Sequence, residues 1–376
     1  CRETYQKNIL ERREPSQACG IFLGVGQVNN GKSTIESLCM DIAAAEQDAS
    51  LPQIPHLYAG TWGPLGLAEA APEQFRAVLA SGRKHYGAVA MGVGNALSRR
   101  WLLRNKNPYL HEIDALAATA GVTGVHLLNM SYEWTCTSSA APDPTGQGMR
   151  LLRTLDWPLD GLGRHVIVAH VNAPAGKYEN VTWPGFSGVV TAMAPGRFAA
   201  AINQPPMRKW TRSCWLDWGI NRMRLWRRHA LPPVHVLRQV FDACRTFEDA
   251  KTVLSETPLA MPAFFTLVGT KSGEGCVIER TEDSAVVRDS PASIANHWVG
   301  HSQPGRARGI DSEGRYALME QTREGAGLET PFDWVTAPIL NPTTRLAVIA
   351  NPATARLSVQ GWENQAPATA VFEGGG

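Results

Sequence analysis

The pattern of the chain changes at Cys136, and that change restricts its fold more than any other feature. Before about residue 135 it reads as helix and loop, with Asp41 to Glu46 and His111 to Ala120 rich in alanine and straight-chain residues that favour helix. Tyr109 to Ala120 puts Leu110, Ile113, Leu116 and Ala117 on one apolar face, and Gly121 stands where a C-terminal cap belongs. A short apolar stretch, Val125 to Leu128, leads on towards Cys136. From Cys136 the chain becomes a series of β-type runs separated by turn residues, the first two joined through Asp143-Pro144-Thr145-Gly146. Strands are predicted at Met149 to Asp156, His165 to Val171, Gly188 to Met193, Arg197 to Asn203, Ala263 to Val268, Gly275 to Arg280, Ser284 to Asp289 and Arg345 to Ile349. Between them, Val234 to Cys244, Phe247 to Ser255 and Glu313 to Glu324 carry helical periodicity. Hairpin strands with helices between them imply α+β layering, not a doubly wound parallel sheet.

With 376 residues, 44% of them hydrophobic, the chain can bury a large core. Its 36 basic and 34 acidic side chains differ by two, so no global charge favours a nucleic-acid partner. The longest apolar runs, such as Val166 to Ala169 and Leu346 to Ala350, fall far short of the ~20 residues of a bilayer crossing, so a soluble protein is expected. Seven cysteines without a Cys-x-x-Cys pair suggest free thiols in place of a disulfide framework or zinc finger. The opening residues show no charged segment followed by an apolar one, so a cytoplasmic setting is the expectation.

Gly26 to Ser33 satisfies the phosphate-loop pattern G-x-x-x-x-G-K-S after the apolar Ile21 to Val25. A nucleotide-binding protein is the alternative of another class, but Ala43 to Thr135 offers no apolar strand ending in a metal-binding acid. Gly92-Val93-Gly94 lacks the third glycine of a dinucleotide fingerprint, and His111-Glu112 lacks the second histidine of a zincin helix. His297 and His301 would share a helix face, yet no carboxylate accompanies them. Trp210, Trp215, Trp218 and Trp226 alternate with Arg208, Lys209, Arg212, Arg222, Arg224, Arg227 and Arg228, with Asp217 the one acid. This suits an interfacial helix or the lip of an acyl-chain entrance, or else a solvated loop whose tryptophans plug the core.

Cys136 carries the chemistry. Small and hydroxyl residues follow it, Thr137-Ser138-Ser139, then a turn, then a strand bearing Arg153 and Asp156. Adjacent antiparallel strands bring the three together. Arg153 supplies a permanent cation that favours thiolate. If Cys136 became a chain terminus, its own α-amine would serve as general base, oriented by Asp156.

The chain resembles the choloylglycine-hydrolase-like branch of the N-terminal-nucleophile hydrolases, nearest its acid ceramidase and N-acylethanolamine acid amidase group. The stretches carrying the resemblance begin with Glu112 to Ala117 and Leu127 to Glu133, followed by Cys136 to Ser139, Arg153 to Asp156 and Pro184 to Gly188. They continue, in the same order, with Pro195 to Phe198 leading to Ile202-Asn203, Ser272 to Arg280, Asn296 to Trp298 and Ser312 to Tyr316. Gln204 stands where the amidases usually carry an acid, and Pro205-Pro206 follows it.

The resemblance implies an αββα sandwich from residue 136 to 376, preceded by a helical α-subunit-like segment over 56–135 and an unassigned extension over 1–55. It makes Cys136 the nucleophile, freed by cleavage of the Thr135-Cys136 bond. Arg153 and Asp156 become its activating pair, Asn203 and Asn296 candidates for the oxyanion site, and Arg315 a supporting cation. Trp183, Trp215 and Trp218 are expected to contact a small N-acyl amide substrate with a lipid-like acyl chain. No cofactor and no catalytic metal are implied, and peripheral membrane contact fits the Trp/Arg run. An acyltransferase, or an acylase acting on penicillins or bile-acid conjugates, would use the same nucleophile.

Overall fold

The computed structural model describes residues 51–60 and 63–374. The Gly26 to Ser33 loop, the Asp41 to Glu46 helix and Cys1, Cys19 and Cys39 lie outside the described residues. The first half is helical as predicted, with α1 (Pro64–Ala70), α2 (Pro72–Tyr86), α3 (Ala88–Arg104), α4 (Leu110–Ala120) and α5 (Val125–Asn129). Helix α4 ends at Gly121, whose φ of 62° is the left-handed conformation that glycine adopts without a Cβ penalty. Gly92 and Gly94 lie inside α3, not in a phosphate-binding turn.

Two sheets stack on each other. The first runs β1 (His56–Tyr58), β4 (Ile167–Ala173), β5 (Gly176–Thr182), β6 (Thr191–Ala194), β7 (Phe198–Asn203), β9 (Ala263–Gly269), β10 (Gly275–Arg280), β11 (Ala285–Asp289). The second runs β12 (Ala292–Ile294), β2 (Thr135–Pro142), β3 (Met149–Asp156), β14 (Thr344–Asn351), β15 (Arg356–Glu363), β16 (Ala366–Pro367), with β17 (Phe372–Gly374) also paired to β15. Strands β2 and β3 lie against β7 and β9. Helices α7 (Pro233–Ala243) and α8 (Phe247–Glu256) cover the outside of the first sheet, and α9 (Ser312–Thr322) covers the second. The architecture is α+β in the order helix, sheet, sheet, helix.

The central strands are buried on both faces. Every residue of β3, β7, β9, β10 and β14 is buried; β7 and β9 read as near-continuous apolar runs, while β3 buries Arg150, Arg153, Thr154 and Asp156 among its apolar residues. One apolar core holds Phe75, Leu79, Ile113 and Leu116 from the helical half together with Trp134, Cys136, Ile202 and Val348 from the sandwich. The segment read as Trp/Arg-rich forms helix α6 (Cys214–Arg227), capped by Ser213, whose hydroxyl accepts from the Leu216 amide. Ahead of α6, β8 (Met207–Arg208) pairs with β13 (Gly305–Arg306) in a small separate ribbon. His297 and His301 lie in the loop after β12, so they share no helix face.

Candidate active site

Cys136 is the second residue of β2, and the β2–β3 hairpin places Thr135 opposite Asp156, Cys136 opposite Leu155 and Ser138 opposite Arg153. Side chains alternate across a strand, so Cys136, Ser138 and Arg153 share the face turned to the first sheet, while Thr135, Thr137 and Asp156 face α9. The sequence grouped Arg153 and Asp156 as one pair beside the thiol. The structure puts them on opposite faces of β3, with different partners.

On the inner face, the Arg153 guanidinium donates to Cys136 Sγ at 3.0 Å. It also donates to the carbonyls of Val190 at 2.6 Å and Ile202 at 3.3 Å and to the Thr191 hydroxyl. Arg153 and Cys136 are fully buried, and carbonyl dipoles provide most of the compensation for the arginine charge. Burial pushes the Cys136 thiol up to about 11, with the Arg153 cation opposing it and the Asp156 carboxylate adding to it. In the uncleaved chain, therefore, desolvation outweighs the guanidinium, and the sulfur is held as a neutral thiol at pH 7.

On the outer face, Asp156 accepts from the Thr344 hydroxyl at 2.9 Å and the Thr135 hydroxyl at 3.4 Å and pairs with Arg315 at 3.6 Å. Its carboxyl is raised above the usual range, because burial outweighs the Arg315 charge. Asp156 thus grips the residue before the nucleophile. The Cys136 backbone amide donates instead to Asn296 Oδ1, at 3.0 Å. Arg315, at the start of α9, donates to the Cys136 carbonyl at 2.6 Å, to Thr137 Oγ1 at 2.9 Å and to the same Asn296 oxygen at 2.8 Å.

The two asparagines differ. Asn203 donates to the carbonyls of Ile294 at 3.2 Å and Ala295 at 3.1 Å, which occupies both amide hydrogens, while its oxygen accepts from Ser138. It ties β7 to the loop after β12. Asn296 gives Nδ2 to the Gln204 carbonyl at 2.8 Å and so has donor capacity remaining. Gln204, at the position of the expected acid, contributes that carbonyl.

A cover lies over the Thr135 side. The Asp217 carboxylate, fully buried on α6, accepts from the amides of Trp210 and Thr211 and pairs with Arg306 at 2.6 Å. Arg308 donates to the carbonyls of Pro205 and Tyr132. Gly309 stands directly over Thr135: a Cβ there would meet the threonine side chain at 2.8 Å, and its φ is +73°. Three openings meet at Arg308. One of about 830 Å³ is lined by Thr135, Glu133, Cys214 and Gly309; one of about 800 Å³ by Asn296, His297, Gly309 and Ser312; the smaller, of about 220 Å³, by Trp218, Leu225, Met261 and Tyr132. Cys136 lines none of them, so the 830 Å³ opening reaches Thr135 and stops one residue short of the sulfur.

Of the three predicted substrate contacts, Trp218 lines the smaller opening and is half exposed, and Trp215 stands outward on α6. Trp183 is buried, its ring edge-on to Trp157, which in turn meets Trp134 at a tilt; its indole N–H is on the Leu162 carbonyl, and it lines none of these openings. Sequence reasoning passed over Arg306, Arg308 and Gly309. All three sit between β12 and α9, where no pattern marks residues that meet Thr135 and α6 only through the fold.

No protein-family model matches the chain. It is 26% identical to acid ceramidase of Macaca fascicularis over 263 residues, covering 63% of this chain and 65% of that one. It is 29% identical to the N-acylethanolamine-hydrolyzing acid amidase of Oryctolagus cuniculus over 172 residues, covering 45% of this chain and 44% of that one. The chain spans less than two thirds of the length of these curated relatives. Among solved structures, a Caenorhabditis elegans N-acylethanolamine-hydrolyzing acid amidase ortholog aligns with a TM-score of 0.44 at 22% identity, over 58% of this chain and 93% of that one. With its nucleophile candidate at the head of a buried sandwich strand, the chain is similar in sequence to acid ceramidase and to N-acylethanolamine-hydrolyzing acid amidase.

Proposed function

We propose that the protein is a self-processing cysteine amidohydrolase that cleaves linear N-acyl amides with a lipid-like acyl chain. The observation that carries the reading is the Cys136 sulfur, with the Arg153 guanidinium 3.0 Å away, one residue behind a Thr135 that forms part of the wall of an 830 Å³ cavity. Processing begins when the Cys136 sulfur attacks the Thr135 carbonyl carbon. The S–C bond forms, the Thr135–Cys136 C–N bond breaks, and the proton from sulfur ends on the freed α-amine. Water then releases the Thr135 carboxylate from the thioester. Removal of Thr135 uncovers the sulfur.

In the processed enzyme the α-amine takes the place of the backbone N–H that Asn296 Oδ1 now accepts, which holds it beside the thiol. The amine takes the thiol proton, the thiolate attacks the substrate carbonyl, and the leaving amine departs with that proton. Arg153 stabilises the thiolate, and the remaining Asn296 amide hydrogen meets the developing oxyanion, a contribution of about 3 kcal/mol in comparable sites. Water activated by the same amine completes hydrolysis of the acyl thioester. The acyl chain lies along the smaller opening, between Leu225, Met261 and Trp218. Trp215 and Trp218, exposed among arginines on α6, bring the entrance to anionic lipid surfaces.

The test is release of fatty acid from N-acylethanolamines and N-acylsphingosines by purified protein and by Cys136→Ala. Thiol-dependent release supports the reading; equal rates for the two proteins would refute it.

A further inference from the structure

At the far edge of the first sheet, three residues of one chemistry converge. His56 on β1, His170 on β4 and Glu179 on β5 come from three neighbouring strands. The register sets Tyr58 beside His170 and His170 opposite Glu179, and the two-residue alternation brings His56 to that same face. His56 Nε2 lies 3.0 Å from one carboxylate oxygen of Glu179, and His170 Nδ1 lies 2.7 Å from the other. One ligand atom from each residue falls within 4.8 Å of the other two. The His170 and Glu179 side chains are about one-sixth exposed and His56 less than half, so water reaches the cluster from one side. That side is a cavity of about 730 Å³, and Tyr58 and Phe372 close on the His56 ring.

We infer that His56, His170 and Glu179 bind a divalent cation, with zinc the best match. Two imidazoles and a carboxylate are a borderline-soft N₂O set, which suits zinc over calcium or magnesium. Zinc bonds of about 2.0–2.2 Å put tetrahedral ligands about 3.3 Å apart; the 2.7 and 3.0 Å contacts run to different oxygens of Glu179, and with one atom from each residue within 4.8 Å of the others, binding requires the side chains to turn toward a common centre. The ion would replace the protons that now bridge imidazole and carboxylate. Its fourth position faces the cavity and takes water. Such a site pins the three-residue strand β1 onto the β4–β5 hairpin and is separate from Cys136 in both residues and chemistry.

The test uses the full chain, stripped with EDTA and with thiols alkylated so that its seven cysteines cannot compete. Titration with zinc chloride alone, followed by calorimetry, should give one equivalent bound at micromolar or tighter affinity. Glu179→Gln, which keeps the side-chain shape, and His56→Ala, at the most exposed of the three positions, should each weaken it at least 100-fold. Far-UV dichroism of both variants verifies that they are folded. Absence of binding in the wild type, or binding unchanged in both variants, would overturn the assignment.

Discussion

At Cys136, burial and a cation act in opposite directions, and burial wins in the uncleaved chain. A pKa raised to about 11 leaves little thiolate at neutral pH, so the precursor thiol should alkylate slowly below about pH 10. The freed terminus, with Thr135 gone and an amine beside the sulfur, should react fast near pH 7. Labelling a partly processed sample with iodoacetamide and reading the adduct separately on the intact chain and on the Cys136-headed fragment measures both rates at once. Equal rates would mean that exposure of the sulfur is not what processing achieves. Arg153→Met removes the charge and keeps an unbranched stem, so alkylation of processed protein should slow at least tenfold. It should also cost about 2–4 kcal/mol of stability, because the Val190 and Ile202 carbonyls lose a buried donor. An unchanged alkylation profile would eliminate Arg153 as the group that stabilises the thiolate.

Among the elements, the cover built from α6, β8, β13 and the 305–311 loop governs access, and its closest approach is Gly309 on Thr135. Gly309→Ala should add about 1 kcal/mol of backbone strain and press on the Thr135 side chain. Self-processing should therefore slow, followed as loss of full-length chain with time; a normal rate would show that the loop has room to yield. In the proposed function helix α6 contacts the acyl chain. Trp215 and Trp218 are exposed, so Trp215→Ala/Trp218→Ala should leave the melting temperature within a degree or two. Its kcat/KM deficit should grow with acyl length, at up to about 0.8 kcal/mol per methylene no longer buried. A uniform deficit at every length would mean that the change is not in acyl-chain contact. The helix itself was one of two readings open from the sequence. Strands with strong turns or apolar runs, such as β3 and β10, were legible to the residue. β5, Gly-Lys-Tyr-Glu-Asn-Val-Thr, and β15, Arg-Leu-Ser-Val-Gln-Gly-Trp-Glu, were not, because polar side chains interrupt the apolar pattern. The site was legible as a list of residues around Cys136, while their division between two faces of β3 depended on strand register and on contacts from α9, which lies more than 150 residues away.

For the molecule as a whole, the proposed cleavage after Thr135 would divide a single core. Phe75, Leu79, Ile113 and Leu116 pack with residues beyond the cut, each worth about 2 kcal/mol. The Glu112 carboxylate also pairs with Arg238 on α7 and accepts from the Ser187 hydroxyl. The two pieces should co-elute in native size exclusion and separate only in denaturant. Separation without denaturant would mean that the helical half is not held by that core. No helix among the described residues is long and apolar enough to cross a membrane. The central claim is that Cys136 makes itself a terminus and then works as the nucleophile. The most direct measurement is the denatured mass of wild-type protein and of Cys136→Ala after incubation under conditions where the wild type releases fatty acid. The account requires two wild-type fragments meeting between Thr135 and Cys136, and one undivided chain for the variant. An active wild type that remains a single chain, or a variant that still splits at that bond, would contradict it.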